Sequence, residues 1–193
     1  MRKPVVRVKV AFQCAMPISL EMLKLVCPSA ELESAFNLFY QDFVHNDPSN
    51  ADYYAQSSYD FPTYVQRLVN ESSGVDLKPN RVPCSHFWLM DEMRTIHGSM
   101  RVRHSLGSAL LQNEGGHIGY DIRPTSSRQG YGTRMLKLAL VEAKKIGLAK
   151  VMVTADEDNI ASRKVIEANA GQFESIVKCL EEEVSVARYW ITL

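Results

Sequence analysis

Gly115-Gly116-His117-Ile118-Gly119-Tyr120-Asp121-Ile122-Arg123-Pro124-Thr125-Ser126-Ser127-Arg128-Gln129-Gly130-Tyr131-Gly132 is the stretch whose reading decides the fold. Its first part is rich in β-formers, its middle in turn-formers, and its glycines fall where a helix begins. Strand, turn and helix therefore follow one another. Without a Cβ, Gly130 and Gly132 let main-chain amides approach an anion, and the free N–H groups and dipole of a helix start favour negative charge. Arg128 and Arg134, with Lys137 one turn on, add positive charge at the same end. A pyrophosphate fits these requirements. The plainer reading is that Gly-x-Gly only lets a helix pack closely on its strand.

Two other phosphate motifs are excluded by spacing. A Walker loop needs G-x-x-x-x-G-K-[ST], which is absent. A dinucleotide fingerprint needs a third glycine where Met135 stands, although Asp156 imitates its ribose-binding acid.

Downstream, Met135, Leu136, Ala139, Ala143 and Ile146 mark one face of a helix over 130–146, closed by Gly147 as a left-handed cap. A short apolar strand over 150–155, a helix over 159–169 and strands over 171–178 and 184–193 complete the chain. Upstream, 86–90, 95–104 and 117–123 read as an antiparallel meander with turns at 91–94 and 113–116. Before it, 22–26 reads as a strand, 31–43 as a helix after Pro28-Ser29, and 61–69 as another helix. The Asn-, Asp-, Ser- and Tyr-rich stretch 46–59 reads as a long surface loop, and 71–83 as a polar connection. No internal repeat is visible. This order gives an α+β fold.

Composition narrows the function classes. One domain suits 193 residues, and 46% hydrophobic with 23% charged residues suits a packed core. Lys plus Arg and Asp plus Glu number 22 each, so no global field favours nucleic acid or an anionic membrane. No apolar run approaches the roughly 18 to 20 residues of a membrane helix. Cys14, Cys27, Cys84 and Cys179 show no C-x-x-C pair and no metal-ligand spacing, which points to reduced thiols in a cytoplasmic chain and to no metal site. Residues 1–20, with Arg2, Lys3, Arg7 and Lys9 ahead of any acid, read as an extension, either an added strand through Val5, Arg7 and Lys9 or an arm. Residues 21–193 read as the single domain.

With these residues in view, the chain resembles the GNAT superfamily of acetyl-CoA-dependent N-acetyltransferases. The family signature [RQ]-x-x-G-x-[GA] falls on Ser127 to Gly132, and G-G-H-I-G-Y, R-P and D-E-D-N-I-A-S within 115–172 are similar to one bacterial branch. The resemblance implies a mixed, mostly antiparallel sheet of six to seven strands flanked by about four helices. It also implies acetyl-CoA held by Tyr120, Ile122, Ser127, Arg128, Gln129, Gly130, Tyr131, Gly132, Thr133, Asn159 and Arg163. The strand holding Tyr120 and Ile122 would diverge from 151–155 and supply a main-chain N–H to the thioester carbonyl. Two departures stand out. Ser127 replaces Arg or Gln, with Arg128 beside it, and Ile166 replaces a tyrosine that in many relatives protonates the thiolate.

Candidate general bases are His117, Asp121 and Glu114, with His117 preferred because its ordinary pKa near 6.5 suits neutral operation. The competing reading makes His117 a structural histidine, with a water relay carrying the proton. Asp156, Glu157 and Asp158 either hold a cationic acceptor or, through Asp158, cap the following helix. Asp52, Tyr53, Tyr54, Tyr59 and Asp60 either line the acceptor pocket or form a solvated loop. The expected reaction is direct transfer of acetyl from acetyl-CoA to a primary amine, on a small molecule or a protein. A non-catalytic acyl-CoA sensor is the alternative, and an NAD-linked oxidoreductase the third reading. A homodimer is one expectation for assembly.

Overall fold

The computed structural model describes residues 19–180 and 183–193. The expected strand or arm through Val5, Arg7 and Lys9, and Cys14, lie outside the described residues. The strands are β1 (Lys24–Val26), β2 (Cys84–Met90), β3 (Ile96–Arg103), β4 (Ile118–Ile122), β5 (Lys150–Asp156), β6 (Gln172–Lys178) and β7 (Ser185–Thr192). The helices are α1 (Glu33–Asn46), the single turn α2 (Pro48–Ala51), α3 (Phe61–Ser73), α4 (Tyr131–Lys145) and α5 (Ile160–Glu167). Among the described residues, the seven strands form one sheet in the order β1-β2-β3-β4-β5-β7-β6, and only the central β4–β5 pair is parallel.

Strand alternation divides the core between the two sheet faces. Leu89, Met100, Val102, Ile118, Val151, Val153, Ala187, Tyr189 and Ile191 pack with Met135, Leu136, Ala139 and Ala143 of α4 and Ile166 of α5. On the opposite face, Trp88 meets Phe36, 4.5 Å between ring centroids, within an aromatic cluster that includes Phe39, Tyr54, Phe61 and Tyr64 from the α1–α3 region.

Two readings of the sequence need correction. The stretch 46–59 is not a loop: α2 and a 3₁₀ segment, Asp52–Ser58, carry it, with Tyr54 fully buried and Ser57 nearly so. Its polar composition hides inward-facing residues spaced at helical intervals. The turn expected at 113–116 is instead the end of a wide helical turn, Leu111–Gly115. No helix among the described residues is long and apolar enough to cross a membrane.

Candidate active site

β4 and β5 are in register at a single pair, Ile118 with Val153, close to the bond from His117 N–H to Met152 O of 2.7 Å. Beyond it they separate. The bonds from Arg103 N–H to His117 O and from Arg123 N–H to His97 O make the odd-numbered residues of β4 the ones that bond to β3. The main-chain groups of Tyr120 and Ile122 consequently face away from β3, into the opening beside β5. This is where the family resemblance implies a diverging strand and a main-chain N–H.

The opening leads along β4 to the start of α4. Arg123 is followed by a 3₁₀ turn, Pro124–Ser126, and then by Ser127, Arg128, Gln129 and Gly130, all exposed. Arg128 and Gly130 adopt left-handed φ values of 62° and 84°. Left-handed residues alternating with right-handed ones turn successive N–H groups into one concavity. The first intrahelical bond at this end is Arg134 N–H to Gly130 O, so the amides of Tyr131, Gly132 and Thr133 have no helical acceptor, and no side chain caps them. Arg134 adds a buried Nε without a hydrogen-bond partner. The two glycines serve different needs. Gly130 supplies the left-handed cap, whereas a Cβ on Gly132 would sit 3.2 Å from Val165 Cγ2 of α5, so its absence permits close helix approach.

Three buried groups that the sequence did not single out hold this loop. His97 is the extra residue of a bulge on β3, opposite Leu89 and Met90. The bulge re-aims its ring to stack on Tyr131, centroids 4.3 Å apart. Its Nε2 bonds Asp91 Oδ2 and its Nδ1 bonds Ser126 Oγ, both at 2.9 Å. Asp42 of α1, 6% exposed, accepts from Arg123 Nε at 2.7 Å and from both the N–H and hydroxyl of Thr125. Burial alone would raise its pKa, but the bonds from Thr125 and Arg123 outweigh it and hold the carboxyl below its ordinary value. Asn169 Nδ2 bonds Thr133 O at 3.2 Å and ties α5 to the first turn of α4.

The α5 side differs from expectation in detail. Asn159, not Asp158, is the N-cap, its Oδ1 accepting from Ser162 N–H at 3.0 Å. Arg163 directs Nε to Tyr189 Oη and Nη1 to Glu157 O, fastening α5 to β7 and to the end of β5. Ile166 is fully buried in the core. Asp156, Glu157, Asp158 and Glu183 line a shallow surface groove.

On the α1–α3 face of β4, alternation brings His117 and Asp121 to the same side, as expected. Their surroundings differ. His117 is 6% exposed, and its Nδ1 accepts the Met152 N–H at 2.9 Å. Burial, then the Arg103 guanidinium, pulls its pKa below the ordinary value. A neutral ring with Nδ1 so engaged carries its proton on Nε2 and has no spare lone pair. That geometry opposes a general-base role for His117. Asp121 is half-exposed: Oδ2 accepts from Tyr54 Oη at 2.7 Å and from Arg101 Nη1 at 3.1 Å, while Oδ1 is uncommitted among the described residues. Tyr54 stays protonated, pushed well above its ordinary pKa by burial and by the Asp121 charge. Tyr53 stacks on the Arg101 guanidinium at 4.6 Å. Of the other residues expected at the acceptor pocket, Asp60 caps α3 and Tyr59 is exposed. Glu114 Oε1 accepts from Leu180 N–H at 3.3 Å.

Residues 37–171 match the family model of the acetyltransferase (GNAT) domain. No curated protein matches. Among solved structures, RimJ of Mycobacterium smegmatis, in complex with a CoA disulfide, superposes with a TM-score of 0.67 at 15% identity, covering 88% of this chain and 81% of that one. The ribosomal α-N-protein acetyltransferase RimL, in complex with coenzyme A, gives 0.66 at 15% identity over 92% and 97%. The microcin C7 self-immunity acetyltransferase MccE, in complex with acetyl-CoA and AMP, gives 0.64 at 12% over 90% and 93%. The family match covers well over half of the sequence, and the sheet order, the single parallel pair and the open start of α4 accord with it: the chain belongs to the GNAT acetyltransferase family.

Proposed function

We propose that this chain moves an acetyl group from acetyl-CoA to a primary amine by direct attack, with Asp121 as the proton acceptor. The observation that carries the reading is the continuous path from the separated β4–β5 edge to the uncapped start of α4. The solved relatives in complex with CoA or acetyl-CoA support the choice of donor.

The residues at hand suit that donor. The amides of Gln129 to Thr133, with Ser127, Arg128 and Arg134, would hold the diphosphate through charge-assisted hydrogen bonds. The N–H groups of Tyr120 and Ile122 would hold the pantetheine arm and the thioester carbonyl as an added strand edge. Asn159 and Arg163 would line the far wall. Bound there, acetyl-CoA supplies an activated acyl carbon and a thiolate leaving group.

The remaining chemistry falls to side chains. An incoming ammonium must lose a proton before its nitrogen can attack. Asp121 Oδ1 is the uncommitted acceptor beside the opening, and Tyr54 and Arg101 fix the carboxylate by holding Oδ2. His117, bonded to Met152, fixes the apex at which β4 and β5 part. The cytoplasm suits a chain whose cysteines show no C-x-x-C spacing, and the acceptor is a small molecule or a protein amine.

The test is amine-dependent release of CoA thiol from acetyl-CoA. Faster release on adding a suitable amine, with a stoichiometric N-acetyl product, supports transfer. Tight acetyl-CoA binding without release across a broad amine panel would favour the non-catalytic sensor, which the replacement of the usual tyrosine by Ile166 makes the second reading.

A further inference from the structure

Arg103 is the unexplained charge on the acceptor side. It lies on the same sheet face as Arg101 and Asp121, paired in register with neither acid nor hydroxyl but beside His117 and Cys84. Its Nη1 donates to two main-chain carbonyls, Gly115 O at 2.7 Å and Gly116 O at 3.0 Å. Among the described residues no carboxylate reaches it, and Nε and Nη2 have no partner. Every nearby acid is engaged elsewhere: Asp121 with Arg101 and Tyr54, Glu71 with Arg67 and His86, and Glu114 with Leu180 N–H. Cys84 cannot serve as counter-ion, because burial pushes its thiol up to about 11.

The other charges close to Arg103 are Arg101 and Arg81, both cationic. Burial, then the Arg101 charge, pulls the Arg103 pKa below its ordinary value, with no carboxylate among the described residues beside it to offset them. A half-buried guanidinium anchored by main-chain carbonyls, with two donor edges open, is organised for a bidentate oxyanion. Asp121 and Arg103 stand four register positions apart, about 13 Å along the strands at 3.3 Å per residue. The Asp121 carboxylate is held by Tyr54 and Arg101, and Arg103 Nη1 by the Gly115 and Gly116 carbonyls, so neither group swings far toward the other, and an α-amino acid, with its two charges on one carbon, would not span the gap.

Resting on the transferase reading, we propose that the acceptor is a primary amine tethered through several bonds to an anionic oxygen group such as a carboxylate, with Asp121 taking the amine end and Arg103 the anionic end. An ω-amino acid and a peptide N-terminus followed by an acidic side chain both present this chemistry.

The experiment compares matched acceptors in the full chain: 6-aminohexanoate against its N-methylamide, and a Ser-Glu against a Ser-Gln peptide amide. Wild type is expected to favour the anionic member of at least one pair by about tenfold or more in kcat/KM. Arg103→Gln brings that ratio to near one, and Arg103→Lys leaves an intermediate ratio, since an ammonium keeps the charge but loses the fork. Which pair discriminates tells the small acid from the peptide. Acetyl-CoA binding by calorimetry, measured on each variant, reports folding and tests the transfer reading separately. Equal use of both members of both pairs by wild type, acetylation of none of them, or a preference that survives Arg103→Gln overturns the anion subsite while transfer stands. Failure of wild type to bind acetyl-CoA overturns the transfer reading itself.

Discussion

In the proposed site, the start of α4 and the acceptor face of β4 are two halves built by opposite means. The α4 end works with main-chain N–H groups, positioned by Arg128 and Gly130 in left-handed conformations and by buried braces behind them. The acceptor face works with side chains drawn from distant segments: Tyr54 reaches Asp121 across 67 positions, and Arg101 and Arg103 come from a different strand. Main-chain recognition tolerates side-chain replacement, and under this proposal Ser127 can occupy a position that carries Arg or Gln in the signature. Side-chain recognition does not. Substitutions on the acceptor face should therefore change turnover and selectivity, whereas those at the α4 end should change cofactor affinity or stability.

The largest expected effect separates the halves most sharply. Asp121→Asn keeps the shape and removes the basic oxygen, and kcat should fall by about 10²- to 10⁴-fold while acetyl-CoA affinity changes little. Steady-state kinetics beside calorimetry measures both. Equal losses in the two would place Asp121 among the structural residues. Next, His97→Phe retains the stack on Tyr131 but strips partners from Asp91 and Ser126. Asp91 keeps the Thr95 N–H at Oδ1 but loses the partner of its buried Oδ2, which costs about 2 kcal/mol or more. Denaturant unfolding should show that loss, and acetyl-CoA binding should weaken alongside it. Unchanged cofactor affinity would separate this brace from the loop.

A smaller effect is expected from Gly130→Ala. Holding an L-residue left-handed costs about 1–2 kcal/mol, or roughly tenfold in acetyl-CoA affinity if the loop relaxes to avoid it. Turnover at saturating acetyl-CoA should remain near wild type; a selective loss of kcat instead would blur the division of labour. The smallest effect concerns pH. His117 has a folded pKa below its unfolded value near 6.5, so the unfolded chain binds the proton more readily. Its contribution to stability is full above about pH 6.5 and is lost as pH falls through the folded value. His117→Asn keeps an acceptor for Met152 N–H and should flatten that segment of the stability profile. A profile with the same acid slope in the variant would contradict the assignment of His117 as a neutral brace.

The same contrast explains what the sequence disclosed. Glycines, a helical apolar face and β-formers are local signals, so β4, α4, β5 and the N-terminal opening of α4 are legible from 115–156. A mostly antiparallel sheet of six to seven strands follows from the order of elements together with the family resemblance, and seven are found among the described residues. Distant partners left no local trace. Nothing near His97 announces a bulge, and nothing near Asp42 announces Arg123, 81 positions away. The stretch 46–59 reads as a loop because its buried residues, Ala51, Tyr54 and Ser57, are outnumbered by exposed polar ones. Asp158 and Asn159 are both good caps by type, and only the fold assigns the role to Asn159. By residue type and ordinary pKa His117 is the better base, whereas in the fold the N–H of Met152 occupies its lone pair.

The central claim is that main-chain amides at the opening of α4 grip a diphosphate. Amide proton and nitrogen shifts of isotope-labelled protein, followed during titration with 3′-phospho-ADP and separately with pantetheine, test it most directly. The account predicts that the largest changes with the nucleotide fall on Gln129 to Thr133 and those with pantetheine on Tyr120 and Ile122. Saturating nucleotide that leaves Gln129 to Thr133 unmoved would contradict it.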